Sequence, residues 1–362
     1  MAPKKQARQS GSPFGQAVRA KAIEAYFANT DAVTADNAWE HVYHLLLSID
    51  RRTRLAHVMD SNHMQPGGSF HGRAVLFTDL LCGRWGIERK ELPPTLDHLF
   101  RACVEEYLKQ REQQLARAVE RTVDQIVEAG GGTEEVEESV SEFLIDIADL
   151  LVARLGLEKT RELVEVVAEI ERRAEHYFTI EKKRQNVRGE GFEDTLEWLL
   201  LNVSGVPREQ LVVRTAANNL PGFKKPLTSA GKRKDKVPKP DLAVTTPAGD
   251  LTRWILTAKW SLRQDRLDQF GQEAAYYRAN KIQAPSVDFV LMTNEMDVAR
   301  LRDVLSPPEG PGGFHFNRVY HVNRDLLEET HGERFAPLKV YKEEARLLSL
   351  ADLLKHAETL RP

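Results

Sequence analysis

The sequence predicts an α/β protein of the α+β kind. A helical N-terminal domain over residues 1–180 precedes a domain over 181–362 with a mixed central β-sheet flanked by helices. Three observations predict this. Apolar residues recur three and four apart through the first half. Short β-rich runs begin after residue 186: "QLVVRT", "DLAVTT", "RWILTAK", "VDFVLMT" and "NRVYHV". Helical stretches separate several of these runs, notably Asp265 to Ala279, and strands interleaved with helices imply a mixed sheet.

The elements follow in order. "DNAWEHVYHLLLSIDRRTRLAHVM", residues 36–59, carries helical spacing. "PPTLDHLFRACVEEYLKQREQQLARAVERTVDQIVEAGGG" opens on prolines, closes on Gly130 to Gly132 and is periodic between them. "TEEVEESVSEFLIDIADLLVARLGL" and "EKTRELVEVVAEIERRAEHYF" continue the pattern. The domain boundary falls between residues 175 and 190, where this character gives way. The helical half contains no phosphate loop, and His41, His44, His57, His63 and His71 fit no zinc spacing. Its expected role is dimer contact or a grip on flanking DNA.

Composition narrows the class. The chain has 362 residues, 41% hydrophobic and 29% charged, as globular proteins do. No apolar run approaches the ~20 residues that span a bilayer. The basic start "MAPKKQARQSGSPFG" is followed by no apolar segment, so it does not read as a secretory signal. Two cysteines, Cys82 and Cys103, have neither metal-ligand spacing nor a disulfide framework, and a reducing cytoplasm is the expectation. The net charge of −3 hides a local excess. Residues 222–240, "GFKKPLTSAGKRKDKVPKP", hold seven Lys/Arg and one acid. Lys232, Arg233 and Lys234 form its densest run and suit contacts with a polyanion such as DNA.

The chemistry concentrates between Glu193 and Glu273. Hydrolysing a phosphodiester requires a divalent metal to hold the phosphate and lower the pKa of a water. Mg²⁺ prefers carboxylate oxygens. Asp241 follows Pro240 at the start of one strand, and Lys259 ends the next. Adjacent strand ends can bring an acid and a charge-stabilising lysine together. A carboxylate two residues before the lysine would complete such a site, but Thr257 stands there. Glu273, fourteen residues after Lys259, lies on the following helix and can reach the vacated space. In "RGEGFEDTLEWLL", Glu193 rides an amphipathic helix whose other face is Phe192, Leu196, Leu199 and Leu200. The candidate metal ligands are thus Asp241, Glu273 and Glu193, with Lys259 as the fourth catalytic residue.

These residues in register resemble the PD-(D/E)XK nuclease superfamily. More narrowly, they resemble its type II restriction endonucleases that read CCGG-type sites, in which the active-site glutamate is displaced from the strand to the next helix. Lys259, Glu273 and Thr257 match that displacement, and "GEGFE" is similar to the group's upstream helix motif, with its acid at Glu193. The group's Arg-x-Asp/Glu-Arg element corresponds to Arg263, Gln264, Asp265 and Arg266. The chemistry suits base reading, since arginine bonds guanine O6 and N7 while an acid accepts from cytosine N4. The resemblance covers roughly residues 186–295 and implies a restriction-endonuclease-like fold in a prokaryotic, cytoplasmic enzyme with Mg²⁺ as cofactor. It also implies a homodimer cutting a palindromic duplex. Two rivals stay open: another nuclease of the superfamily acting in repair or on DNA structure, and a DNA-binding protein on a decayed nuclease scaffold.

Overall fold

A computed structural model describes residues 12–59, 61–110, 113, 180, 183–223, 237–262, 264–280, 287–306 and 315–361. The chain divides into two compact units, one of residues 1–18 and 102–187, the other of Arg19–Arg101 and Arg188–Pro362. In the first, Phe14 and Tyr107 face each other at 5.7 Å between ring centroids. The helical segments expected between residues 114 and 178 lie outside the described residues.

The second unit is built on a six-stranded sheet in the order β1 (Leu211–Val213), β2 (Leu242–Thr245), β3 (Thr252–Lys259), β4 (Asp288–Thr293), β5 (Arg318–His321) and β6 (Leu347–Ser349). β1, β2 and β3 pair antiparallel, whereas β3 through β6 pair parallel, so the sheet is mixed. The parallel strands are covered on both faces. Leu256, Ala258, Val290, Leu291, Met292, Val319 and Tyr320 are each 2% exposed or less. This explains why their sequence is continuously apolar rather than alternating. The Gln264–Asn280 helix makes the crossover from β3 to β4. The next two helices start on side-chain caps: Asp297 accepts from Ala299 N at 2.8 Å and Asn323 from Leu326 N at 2.9 Å.

This unit takes residues from both sides of the boundary expected at 180. Tyr43 Oη donates to Asn294 Oδ1 at 2.9 Å, and Phe27 stacks on Trp198 with centroids 3.6 Å apart. Gly191 lets the helix over residues 183–202 come close to this N-terminal layer. A Cβ there would stand 2.3 Å from Leu99 Cδ2 and 3.2 Å from Leu46 Cδ2.

The helix expected over residues 36–59 is shorter than its apolar spacing suggests. It covers Ala38–Leu46, and the chain then turns back through a β-bridge between Ile49 and Ala56. Asp50 Oδ1 accepts from Arg52 N, Thr53 N and Thr53 Oγ1, and Arg54 adopts a left-handed φ of 60°. An aspartate closing a turn through its own carboxylate outcompetes helix propagation.

Candidate active site

Three of the candidate catalytic residues, Asp241, Lys259 and Glu193, meet at the junction of β2, β3 and the 183–202 helix. Asp241 directly precedes β2, and extending the β2–β3 register by one residue sets it opposite Thr257. Asp241 Oδ2 accepts from Ala258 N at 2.7 Å and from Lys259 Nζ at 2.7 Å. The backbone bond fixes the carboxylate against β3, and the lysine bond closes an acid–amine pair across the two strand ends. Among the described residues no hydrogen bond reaches Asp241 Oδ1.

Glu193 belongs to the same site electrostatically. Burial raises its carboxyl to about 7, and the neighbouring Asp241 charge adds to the rise. A hydrogen bond from Arg214 and the charge of Lys259 oppose it. A buried carboxyl held protonated beside a second carboxylate is a setting a divalent cation would relieve. The donor set is therefore chemically suited to Mg²⁺.

Glu273 approaches from the Gln264–Asn280 helix. It lines one small cavity with Ile255, Thr257, Phe270, Tyr277 and Phe289, so it stands near Thr257. Ile255, Thr257 and Lys259 share a face of β3 because strand side chains alternate. Gln269 Nε2 donates to Glu273 Oε1 at 2.6 Å. Tyr277 follows Glu273 by one turn on the same helix. Its hydroxyl is buried without a hydrogen-bond partner and its pKa is raised, by burial first and then by the charges of Glu273 and Asp241. Among the described residues no three His, Cys, Asp or Glu side chains already converge as a metal cage.

Sequence reasoning missed the residue that orients Glu193. Arg214 follows β1 with a left-handed φ of 46°. Its N–H donates to the Asp241 carbonyl at 2.9 Å. Arg214 Nε donates to Glu193 Oε2 at 2.7 Å, while Nη2 donates to Asp194 Oδ1 at 2.7 Å and to the Glu190 carbonyl at 3.2 Å. Burial alone would lower the Arg214 pKa, but its bonds to Glu193 and Asp194 make the net shift upward. Asp194 in turn holds Arg19, which is 2% exposed, through Arg19 Nε at 2.7 Å, and Arg19 Nη1 pairs with Glu190 at 2.6 Å. A chain of alternating charges thus runs from Arg19 to Glu193. No motif in the sequence marks Arg214 or Arg19. Only "GFED", where Asp194 follows Glu193, hints at a second acid.

The expected DNA-reading residues are described in part. Gln264, Asp265 and Arg266 occupy the first turn of the Gln264–Asn280 helix, five to seven residues after Lys259, and their side chains lie outside the described residues. Arg263, Lys232, Arg233 and Lys234 also lie outside the described residues. No helix among the described residues is long and apolar enough to cross a membrane. No protein-family model matches the chain, and no curated protein matches it.

Proposed function

We propose that the chain is a Mg²⁺-dependent, sequence-specific endonuclease that hydrolyses duplex DNA at a CCGG-like palindrome, working as a homodimer. The observation that carries this reading is the shared Asp241 oxygen, which bonds both the β3 backbone and Lys259, with Glu193 in electrostatic contact. Glu273 beside Thr257 adds the carboxylate that the strand lacks. Asp241, Glu273 and Glu193 would hold the metal. Bound Mg²⁺ would polarise the phosphate and lower the pKa of a water.

The chain's own residues divide the remaining work. Lys259 neutralises charge on the phosphate and keeps Asp241 aligned. Arg214 holds Glu193 in one orientation and, with Asp194, is itself held by the buried charge chain. Arg263, Asp265 and Arg266 read C:G pairs, and Lys232, Arg233 and Lys234 neutralise backbone phosphates. Digestion of plasmid and phage DNA with Mg²⁺, followed by sequencing of the ends, tests the proposal. Discrete ends at one palindrome are expected, and random nicking would move the assignment to a repair or structure-specific nuclease.

One observation supports a second reading. The three candidate carboxylates do not form a ready metal group among the described residues, and Lys259 pairs directly with Asp241. That arrangement suits a protein that binds DNA without cutting it. Specific duplex binding with no cleavage under any divalent cation would select this reading.

A further inference from the structure

We propose that a second site, a cavity of about 330 Å³ ringed by Arg73, Arg300, Arg302, Arg334 and His331, binds a phosphate-bearing ligand. The cavity lies where the chain leaves β4 for the Val298–Leu305 helix, and His331 ends the Arg324–His331 helix that follows β5. These are the carboxyl ends of parallel strands, the edge where open α/β sheets take ligands. None of these residues belongs to the Asp241–Lys259 centre.

The charge balance calls for an anion. Four guanidinium groups line the cavity against one carboxylate, Asp297. That carboxylate is engaged, since it caps the Ala299 N–H at 2.8 Å and stands 3.9 Å from Arg300 Nε. Arg73 and Arg334 are close enough that, after burial, the charge of Arg334 is the main influence lowering the Arg73 pKa. Arg300 is partly compensated by Glu295 at 3.7 Å and Arg302 by Asp303 at 3.9 Å, but four cations around one space leave a local positive excess that a bound anion relieves.

Two residues of the cavity wall also carry buried nitrogens that lack a hydrogen-bond partner. His331 is 6% exposed, and its Nε2 donates to the Met296 carbonyl at 2.8 Å. That bond fixes the hydrogen on Nε2 and leaves Nδ1 as an acceptor with no partner. Arg73 Nε is likewise buried and unpaired, although Nη2 donates to the Ser69 carbonyl at 2.5 Å and the guanidinium lies 4.4 Å over the Phe70 ring. Buried polar atoms in native proteins nearly always have partners. Stacking on Phe70 fixes the Arg73 guanidinium plane at the cavity wall, as a positioned cation for phosphate. The volume is at the lower end of small-ligand pockets and exceeds what one inorganic anion fills.

The phosphate can come from a free phosphorylated molecule or from a nucleic-acid backbone, and one titration set separates them. The full-length protein is titrated calorimetrically with inorganic pyrophosphate and adenosine 5′-monophosphate, and by anisotropy with a short random-sequence DNA duplex. The same titrations are made on Arg302→Gln/Arg334→Gln, whose two side chains are exposed, on Arg73→Gln, and on the distant control Arg208→Gln. The expected result is saturable binding of a small phosphate, weakened about tenfold or more in the cavity variants and unchanged in Arg208→Gln. If instead duplex affinity falls in the cavity variants with a flatter salt dependence, and small phosphates do not compete, the phosphate belongs to nucleic acid. Either result supports the site. No binding of any probe, or binding by both cavity variants equal to wild type, overturns it. The readout is binding rather than cleavage, so it stands or falls separately from the nuclease reading.

Discussion

Replacing Glu193 with Gln should flatten the pH dependence of stability between about pH 4.5 and pH 7. Burial and the Asp241 charge raise the Glu193 carboxyl from 4.5 to about 7 in the folded chain. The folded state therefore prefers the protonated form. Below the unfolded-state value both states hold the proton and the group contributes nothing. As pH rises, the unfolded chain releases the proton first, so stability falls until the pH passes about 7 and is then constant. At about 1.36 kcal/mol per pH unit, the loss is ~3 kcal/mol. The Glu193 side chain is only 14% exposed, so solvent screening removes little of this. Urea unfolding followed by circular dichroism at about pH 5 and about pH 8 measures it, with Glu193→Gln as the reference in which titrations remote from the site cancel. Wild type should lose a few kcal/mol more than the variant across that interval. Added Mg²⁺ should restore stability to wild type mainly at the higher pH, because a cation favours the ionised carboxyl. Parallel pH curves for the two proteins would refute the electrostatic picture of the site.

Asp241→Ala and Lys259→Ala should each abolish Mg²⁺-dependent cleavage with an unchanged circular dichroism spectrum; full cleavage by either at matched stability would remove the catalytic assignment. Arg19→Met should destabilise the fold by about 3 kcal/mol, the usual result of breaking a buried ion pair, because Asp194 and Glu190 lose a cation. Denaturant unfolding checks this, and a change under about 1 kcal/mol would show that Arg214 alone satisfies Asp194. Arg263→Ala or Arg266→Ala should cost about 1–3 kcal/mol of discrimination at a C:G pair, measured by competition between CCGG-containing and shuffled duplexes in Ca²⁺. Equal loss on both duplexes would make these arginines phosphate contacts.

The strands β1 to β5 are legible in the sequence because each is a short apolar run bounded by polar or turn residues. β6 is not: Leu347–Ser349 is three residues long and runs directly into the Leu350–Glu358 helix, so it offers no alternation to read. The contribution of residues 19–101 to the sheet-bearing unit is also hidden. Helical spacing shows that Val42, Leu45 and Leu46 form an apolar face, but not that Tyr43 reaches Asn294 across 251 residues. At the candidate site, Asp241, Lys259 and Glu193 are legible because their chemistry sits on recognisable elements. Arg214, Arg19 and Tyr277 are not, since an arginine after a strand, an arginine in a helix and a tyrosine on an amphipathic helix acquire meaning only from their partners. The same holds for the arginine-lined cavity, whose cations are scattered over residues 73–334.

The most direct measurement compares cleavage of CCGG-containing duplex DNA by wild type, Glu273→Ala and Thr257→Ala in Mg²⁺, with the product ends sequenced. Glu273 and Thr257 line one cavity on the Lys259 face of β3, and in the proposed mechanism Glu273 provides the carboxylate that the strand does not supply. Wild type should cut at one palindrome, Thr257→Ala should cut nearly as well, and Glu273→Ala should be inactive while still binding the duplex in Ca²⁺. Normal cutting by Glu273→Ala would contradict the displaced-carboxylate account, and absence of cutting by wild type under every divalent cation would contradict the nuclease itself.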